Sequence, residues 1–365
     1  MNEKIYQIAL SLVPKVGAVT AKHLIRTFGS AELVFKTSKA NLAKIHGIGP
    51  TLIENLKDPN CLSRAVQSYE SMQINGVHML DFQSEKYPTR LKQVHDAPAF
   101  LFYKGPIDFQ ADRVIAIIGT RKPSKRALQI TYDLIEGLKA YQPIIISGLA
   151  FGVDAFAHQS ALQLDLPTWG VMAHGHHMVY PAAHRKLTSQ ILHQDGALLS
   201  EYAFFTRPEK EFFPMRNRIV AGLCKALVVV ETPKRGGSMI TAQLANTYHK
   251  DVFAVPGRWQ DTQSKGCNHL IKSHQAALIE SADDIAYVLG WEQASKVNGL
   301  QQELFSKLSE EEKIIVDLLR AQDILSYEQL LYRIPNSKAI ISQQLLNLEF
   351  MGLIRSLPGS RYILK

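Results

Sequence analysis

Six short apolar runs, separated by helical stretches, constrain the fold of this 365-residue chain more than any other sequence feature. The first run, Val114–Ile118, is apolar at every position, which is typical of a strand buried on both faces. Because parallel neighbours require crossover connections, repeated strand–helix units predict an α/β fold with a doubly wound, mostly parallel sheet. The runs lie at residues 114–118, 144–146, 168–172, 197–199, 226–230 and 252–255.

Composition excludes several other classes of protein. With 46% hydrophobic and 20% charged residues, the chain has the make-up of a globular protein and not of a disordered one. No apolar run approaches the roughly 20 residues that span a bilayer, and the first residues lack the pattern of a secretion signal. The three cysteines form no closely spaced pair, so we expect a reducing compartment, the cytoplasm, and no membrane partner.

A helical region precedes the predicted sheet. Residues 1–75 contain two helical pairs joined by Gly-containing turns, at residues 14–17 and 45–50. The pairs resemble tandem helix-hairpin-helix (SAM-like) motifs, in which the turn exposes backbone N–H groups to a phosphate. A packing module with Gly at turns of positive φ is the alternative. Nine Lys and Arg against five Asp and Glu before residue 80 favour DNA contact only slightly.

A second helical region follows the sheet. The pattern predicts an α/β domain at 76–290, a linker at 291–303 and a C-terminal domain at 304–365, with helices near 310–321, 326–333 and 337–350. Two strand-like segments around Pro358-Gly359 complete a resemblance to a winged helix, with Asn336, Ser337 and Lys338 on its recognition helix. Eight Lys and Arg balance eight Asp and Glu from residue 301 onward, so duplex DNA binding and protein contact both remain open.

Glycines and cations follow the predicted strands, at the edge where ligands of open α/β sheets bind. Gly119 precedes Arg121, Lys122 and Lys125 at a helix start, while the G-x-G-x-x-G dinucleotide fingerprint is absent. Cations at a helix N-terminus favour phosphate groups. Glycines such as Gly148 and Gly237 suit either a tight turn or the close approach of a phosphate to the backbone.

The order of these segments is more specific than any one of them. It runs from Ile-Gly-Thr-Arg at 118–121 and Ser-Gly-Leu-Ala at 147–150, through Tyr-Pro at 180–181 and Leu-Ser-Glu-Tyr at 199–202, to Arg-Asn-Arg-Ile at 216–219, Gly-Gly-Ser at 236–238 and Val-Pro-Gly at 255–257. In this series, over residues 80–285, the chain resembles the DNA-processing protein A family, also called Smf, of the extended Rossmann type.

The resemblance implies a protein that binds single-stranded DNA without sequence preference and assists loading of the RecA recombinase in DNA uptake or recombination. It also implies a homodimer, without a cofactor or an enzymatic reaction. Such a strand binder needs cations along the phosphates and flat side chains for stacking. We expect DNA contacts at Gly119, Arg121, Lys122, Lys125, Gly148, Arg185, Arg216, Arg218, Gly237 and Ser238. Stacking candidates, with core or dimer packing as the alternative for at least half of them, are Phe204, Phe205, Phe212 and Phe213.

Two features of the sequence weaken this assignment of cations. Many relatives carry Arg where this chain has Phe151, and the histidines at 174, 176 and 177 could replace that charge only if they were protonated. Arg216 and Arg218 could instead form structural ion pairs, for example with Glu201 or Glu231.

An enzyme is the main alternative function. Segment 236–238 looks similar to part of the Pro-Gly-Gly-x-Gly-Thr-x-x-Glu motif of nucleoside-monophosphate phosphoribohydrolases, in which the Glu is catalytic. This chain has Gln243 and Leu244 where that Glu should lie, and it has no Walker A sequence, so hydrolysis and ATP turnover are disfavoured. Imidazoles suit zinc or nickel, but the loop holding most of the clustered histidines lacks a nearby carboxylate, and we expect no metal at His174, His176, His177 and His184.

Overall fold

The computed structural model describes residues 2–291, 308–322, 324–334, 338–350 and 353–364. They belong to two compact units, one ending at Trp291 and one beginning at Glu292. The division between the units falls at the start of the predicted linker 291–303, most of which lies outside the described residues.

The chain begins with short helices, as the apolar spacing predicted. Side chains of Ser30, Ser38 and Asp58 accept hydrogen bonds from backbone amides in the first turns of three of them, which satisfies N–H groups that a helix start leaves without partners. The helices are α1 (Glu3–Leu12), α2 (Ala18–Phe28), α3 (Ala31–Lys36), α4 (Lys39–Leu42), α5 (Pro50–Leu56) and α6 (Pro59–Ile74).

A nine-stranded sheet forms the centre of the first unit, in the order β1-β2-β6-β5-β4-β3-β7-β8-β9. The strands are β1 (His78–Asp81), β2 (Phe100–Lys104), β3 (Val114–Ile118), β4 (Ile144–Gly148), β5 (Thr168–Val171), β6 (Ala197–Ser200), β7 (Ala226–Val229), β8 (Asp251–Ala254) and β9 (Ala277–Leu278). The seven strands β3 to β9 pair in parallel with one another. At one end of the sheet, β1 pairs with β2 and β2 pairs with β6 in antiparallel orientation. The predicted α/β class with a mostly parallel sheet is therefore confirmed.

Helices cover both faces of the sheet, and most of them connect parallel strands, which is why every residue of β3 is buried. They are α7 (Thr89–Lys92), α8 (Lys125–Leu138), α9 (Val153–Gln163), α10 (Arg185–His193), α11 (Phe212–Leu223), α12 (Gly237–Thr247), α13 (Lys265–Lys272) and α14 (Ala282–Val288).

One apolar core extends across the predicted domain boundary at residue 75. Leu10, Leu24 and other buried side chains of the N-terminal helices pack in the same cluster as Phe100 and Phe102 of β2 and as Phe204 in the loop after β6. The N-terminal helices and the antiparallel end of the sheet therefore share their packing, although the sequence places them in different domains.

The second unit has its own small core and sheet. Its described elements are α15 (Glu310–Ala321), β10 (Leu325–Ser326), α16 (Tyr327–Arg333), α17 (Lys338–Phe350), β11 (Ile354–Leu357) and β12 (Arg361–Leu364), with an antiparallel sheet in the order β10-β12-β11. Asn336 and Ser337, predicted on the recognition helix, lie outside the described residues.

Among the described helices, none combines the length and the apolar character that crossing a membrane requires.

Candidate nucleic-acid interface

A cavity of about 850 Å³ opens at the carboxyl ends of β3, β4, β5 and β7. Strand β3 lies between β4 and β7 in the sheet. The chain continues from β3 to β6 on one side and from β7 to β9 on the other, so the cavity lies where the strand order changes direction. Open α/β sheets bind their ligands at this position. The cavity is lined by residues 118–121, 148–151, 154, 172–173, 180–181, 210, 213–214, 216–217, 220, 233, 236–238 and 240–241.

The loop after β3 brings Arg121 to the cavity. The exposed Arg121 guanidinium carbon lies 6.0 Å from the centre of the Phe213 ring. Gly119, which precedes it, has no space for a side chain, because a Cβ there would lie 2.5 Å from Cγ2 of Val153. Gly119 therefore allows the strand end to pack on α9, and Arg121 supplies the charge of this loop.

Arg216 on α11 reaches across the end of β4. Its side chain is only 5% exposed, with Nη1 donating a hydrogen bond to the carbonyl oxygen of Val171 and Nε donating to Oδ1 of Asn217 at 3.1 Å. A Cβ on Gly148 would lie 2.6 Å from the guanidinium and 2.6 Å from Oδ2 of Asp154. The glycine is thus required so that these two charged groups can lie over the strand end.

Burial sets the protonation of this pair. It raises the pKa of Asp154 to about 6, and the nearby positive charge of Arg216 opposes that rise. Burial also lowers the pKa of Arg216, while Asp154 acts in the opposite direction. A guanidinium keeps its charge in proteins, so Arg216 remains a fixed cation in the wall of the cavity.

The N-terminus of α12 forms the opposite wall. Ser238 is buried, and its hydroxyl donates to Oγ1 of Thr232 at 2.7 Å, which fixes the turn before the helix. A Cβ at Gly237 would meet no atom within 4 Å, so packing does not require glycine at this position. The first amides of a helix have no partners within it and carry partial positive charge, which suits an anion.

Arg218 lies elsewhere. It is 3% exposed, outside the cavity lining, and forms an ion pair with Glu201 while Nη1 donates to the carbonyl oxygen of Asp96. The structural ion pair that the sequence left open is therefore present for Arg218, with Glu201 as its partner. Arg218 is therefore not a phosphate ligand of this cavity.

The remaining predicted cations are exposed around the cavity. Lys122 lines a shallow neighbouring depression that also includes Arg121 and Phe151. Lys125 and Arg185 begin helices α8 and α10 and contribute to neither lining. The structure thus brings together Gly119, Arg121, Gly148, Arg216, Gly237 and Ser238, and it places Lys122, Lys125, Arg185 and Arg218 outside the main cavity.

Lys210 and Tyr180 are two parts of this site that were not predicted from the sequence. Lys210 lies in the loop before α11 and lines the cavity, and Tyr180 is 47% exposed with its ring centre 5.7 Å from that of Phe213. A signal for Lys210 was present in the sequence, since it lies two residues before the aromatic pair Phe212-Phe213.

Most of the candidate stacking side chains face other parts of the protein. Phe204 is buried in the core that includes the N-terminal helices, and Phe212 stacks on Tyr202 with ring centres 4.2 Å apart. Phe205 is exposed but lies outside the cavity. Of the four, Phe213 alone lines the cavity among the described residues.

His174 and His176 do not replace the charge absent at Phe151. Burial lowers the pKa of His176 to about 4 and also lowers that of His174, which accepts a hydrogen bond from the Tyr180 amide at 3.1 Å. Phe151 itself is half-exposed at the rim, with its ring beside that of His184. No group of three or more His, Cys, Asp or Glu side chains within the described ranges is arranged to hold a metal ion.

The sequence of the sheet domain matches a known protein family. The model of the DNA recombination-mediator protein A family matches residues 78–290. The chain belongs to this family. The resemblance found in the sequence motifs is thereby confirmed, and it covers the sheet and the cavity described above.

Relatives extend the similarity beyond the matched domain. Protein Smf of Synechocystis is 29% identical over 393 aligned residues, covering 99% of this chain and 98% of that protein. The X-ray structure of DNA processing protein A from Streptococcus pneumoniae has a TM-score of 0.65 at 32% identity, covering 80% of this chain and 98% of that one. A Helicobacter pylori structure, described as giving insight into a unique single-stranded DNA binding mode, has a TM-score of 0.52 at 30% identity, covering 58% of this chain and 95% of that one.

Proposed function

We propose that this protein binds single-stranded DNA, without sequence preference, in the cavity at the carboxyl ends of β3, β4, β5 and β7. The charge of the cavity supports this most directly. Arg121, Lys210 and Arg216 line it, and among the described residues Asp154 is the only carboxylate in the lining. A phosphate backbone is neutralised by such a group of cations, and the released counterions contribute to the affinity.

The N-terminus of α12 supplies a seat for one phosphate. The space around Gly237 is open, so the backbone can be approached closely there. Arg216 lies in the same lining, which places a fixed positive charge and helix amides around a single volume. Both kinds of group hold a phosphate through its oxygens and do not distinguish one base from another.

Aromatic rings at the same cavity suit the bases of a single strand. Tyr180 and Phe213 lie side by side, and Phe151 is half-exposed at the rim. Stacking tolerates any base because every base has a π face, whereas a duplex keeps its bases stacked on one another. Cations with aromatic faces therefore favour an unpaired strand and no particular sequence.

Family membership supports a wider role. A relative from Helicobacter pylori is described as binding single-stranded DNA, and the family is described as recombination mediators. We propose that this protein, as a cytoplasmic homodimer, delivers bound strands to the RecA recombinase and catalyses no reaction itself. Its three cysteines are buried free thiols, as a reducing compartment allows.

The modules at both ends keep their proposed assignments. We propose that the helices before β1 are a helix-hairpin-helix module: Gly17 and Gly49 precede α2 and α5 directly, as the motif requires. We also propose that the second unit is a winged helix, since β11 and β12 form an antiparallel hairpin after α17.

A pair of double variants tests the cavity. Replacing Arg121 and Lys210 with alanine should weaken binding to oligo-dT and reduce the slope of log affinity against log salt by about 1.4, or 0.7 per lost phosphate contact. Arg64→Ala with Lys272→Ala removes the same charge from two exposed positions outside the lining and serves as the matched control. Fluorescence anisotropy across a salt series gives both quantities.

Equal losses in the two double variants would reject the cavity in favour of general surface charge. RecA filament formation on strands coated with single-strand-binding protein tests delivery, and light scattering after gel filtration tests the dimer. Release of free base from a nucleoside monophosphate would overturn the assignment as a protein without catalysis.

A further inference from the structure

A basic cleft lies between the N-terminal helices and the segment that follows α7. Two adjoining cavities, of about 430 and 340 Å³, have Lys22, Arg26 and Lys92 in common. We define the basic cleft by these three cations, with His23 and His95 in its wall. None of these residues lines the cavity at the ends of the parallel strands, so the cleft is a separate surface.

The charge of the cleft is not neutralised by the protein. Neither lining contains a carboxylate, and none of Lys22, Arg26 and Lys92 forms an ion pair within the described part of the chain. The nearby carboxylates are engaged: Asp96 accepts a hydrogen bond from the Tyr248 hydroxyl at 2.7 Å, and Glu201 is paired with Arg218.

Two of the three cations are held in place before any ligand binds. The Arg26 guanidinium carbon lies 5.3 Å from the centre of the Phe82 ring, and Nζ of Lys22 donates to the carbonyl oxygen of His95 at 3.3 Å. Partial burial lowers the pKa of Lys22, and the positive charges of Arg26 and Arg218 lower it further, while the negative charge of Asp96 partly opposes this shift. An anion in the cleft would relieve this repulsion between like charges.

We propose that the basic cleft binds the phosphodiester backbone of a single-stranded nucleic acid, as a second contact outside the main cavity. Lys22 and Arg26 lie one helical turn apart on α2, and Lys92 faces them from α7. The three cations lie where the two cavities adjoin, so a phosphodiester chain can pass through both cavities and contact all three, whereas one small anion would fill only part of this space. A strand held at both places is anchored on the N-terminal helices as well as on the sheet.

The test uses the full chain and two matched double variants. Arg26→Gln with Lys92→Gln removes two exposed cations of the cleft, and Arg64→Gln with Lys272→Gln removes an exposed arginine and lysine elsewhere in the same unit. With long oligo-dT, the cleft variant should reduce the salt slope by about 1.4, whereas the control variant should leave it unchanged. Thermal melting shows whether both variants are folded.

Chemical protection gives a readout that does not depend on substitutions. Bound oligo-dT should protect Lys22 and Lys92 of the wild-type protein from acetylation, measured by mass spectrometry, and should leave Lys272 unprotected. Inorganic phosphate at an equal phosphate concentration should protect them several-fold less. Equal protection by free phosphate would assign the cleft to a small anion and overturn the strand proposal.

The outcomes separate this proposal from the function proposed for the main cavity. If oligo-dT binds and the Arg121/Lys210 variant weakens it, while Lys22 and Lys92 stay unprotected, the cleft proposal alone fails. If the cleft variant loses affinity and the Arg121/Lys210 variant does not, the cleft is supported and the main cavity is rejected.

Discussion

Replacing Gly148 with alanine tests the placement of Arg216 with a single methyl group. The added Cβ would lie 2.6 Å from the Arg216 guanidinium and from Oδ2 of Asp154, where ordinary contact begins at 3.4 Å. The guanidinium would have to retreat and would lose its hydrogen bond to the carbonyl oxygen of Val171. Overpacking of this kind lowers the free energy of unfolding by about 1–3 kcal/mol.

The same methyl group at Gly237 is the internal control. No atom lies within 4 Å of a Cβ there, and φ is not positive, so Gly237→Ala should leave the free energy of unfolding unchanged or raise it slightly. It should nevertheless weaken DNA binding, because the methyl group occupies space beside the N-terminus of α12 where we place a phosphate.

Two measurements on each glycine variant test whether Arg216 lies over the end of β4. Chemical denaturation should show a loss for Gly148→Ala alone, and anisotropy with oligo-dT should show weaker binding for both. The salt slope of Gly148→Ala should fall by about 0.7 if one phosphate contact is lost. Wild-type stability and wild-type affinity in Gly148→Ala would refute the reasoning, because the guanidinium could not then lie over the strand end as described.

Three further predictions concern charges around the site. Arg218→Ala should lower the free energy of unfolding by about 3–5 kcal/mol, since it leaves Glu201 buried without its partner, and should not alter oligo-dT affinity where the variant is folded; a loss of affinity in folded protein would contradict the structural role. Because burial raises the pKa of Asp154 to about 6, the folded protein holds that proton more tightly than the unfolded chain does, and stability falls as pH rises from about 4 to 6. Asp154→Asn should remove roughly 3 kcal/mol of this decrease in denaturation curves across that range, and an identical pH profile would count against it. Phe151→Arg should steepen the salt slope of oligo-dT binding by about 0.7, and an unchanged slope would place residue 151 away from the strand.

The sheet was predictable because its strands carry their own signal. Val114–Ile118 is apolar throughout, and such a run has few alternatives to a buried strand. The glycines and cations at strand ends were predictable for a related reason, since parallel topology brings the carboxyl ends of neighbouring strands together. Gly119, Arg121 and Gly148 therefore meet in one place although the chain separates them.

The different roles of Arg216 and Arg218 were harder to predict from the sequence. Both lie in one motif, but on a helix two residues apart in sequence are about 200° apart around the axis, so they cannot face the same cavity. Helical periodicity could have shown that they diverge, but not which one is paired. Which of the two arginines is paired depends on the position of Glu201, which follows a different strand. The placement of Lys22 and Lys92 in one cleft likewise depends on tertiary packing.

The core shared by the N-terminal helices and the antiparallel end of the sheet limits how members of such a family can vary. Phe100 and Phe102 on β2 and Phe204 after β6 are covered by those helices. A chain that lacked the helices but kept these aromatic residues would expose a contiguous apolar surface and would tend to aggregate. Loss of the helical module and polar substitution at these three positions should therefore occur together in evolution, so the identity of these three side chains indicates whether a shorter relative is a natural form or a fragment.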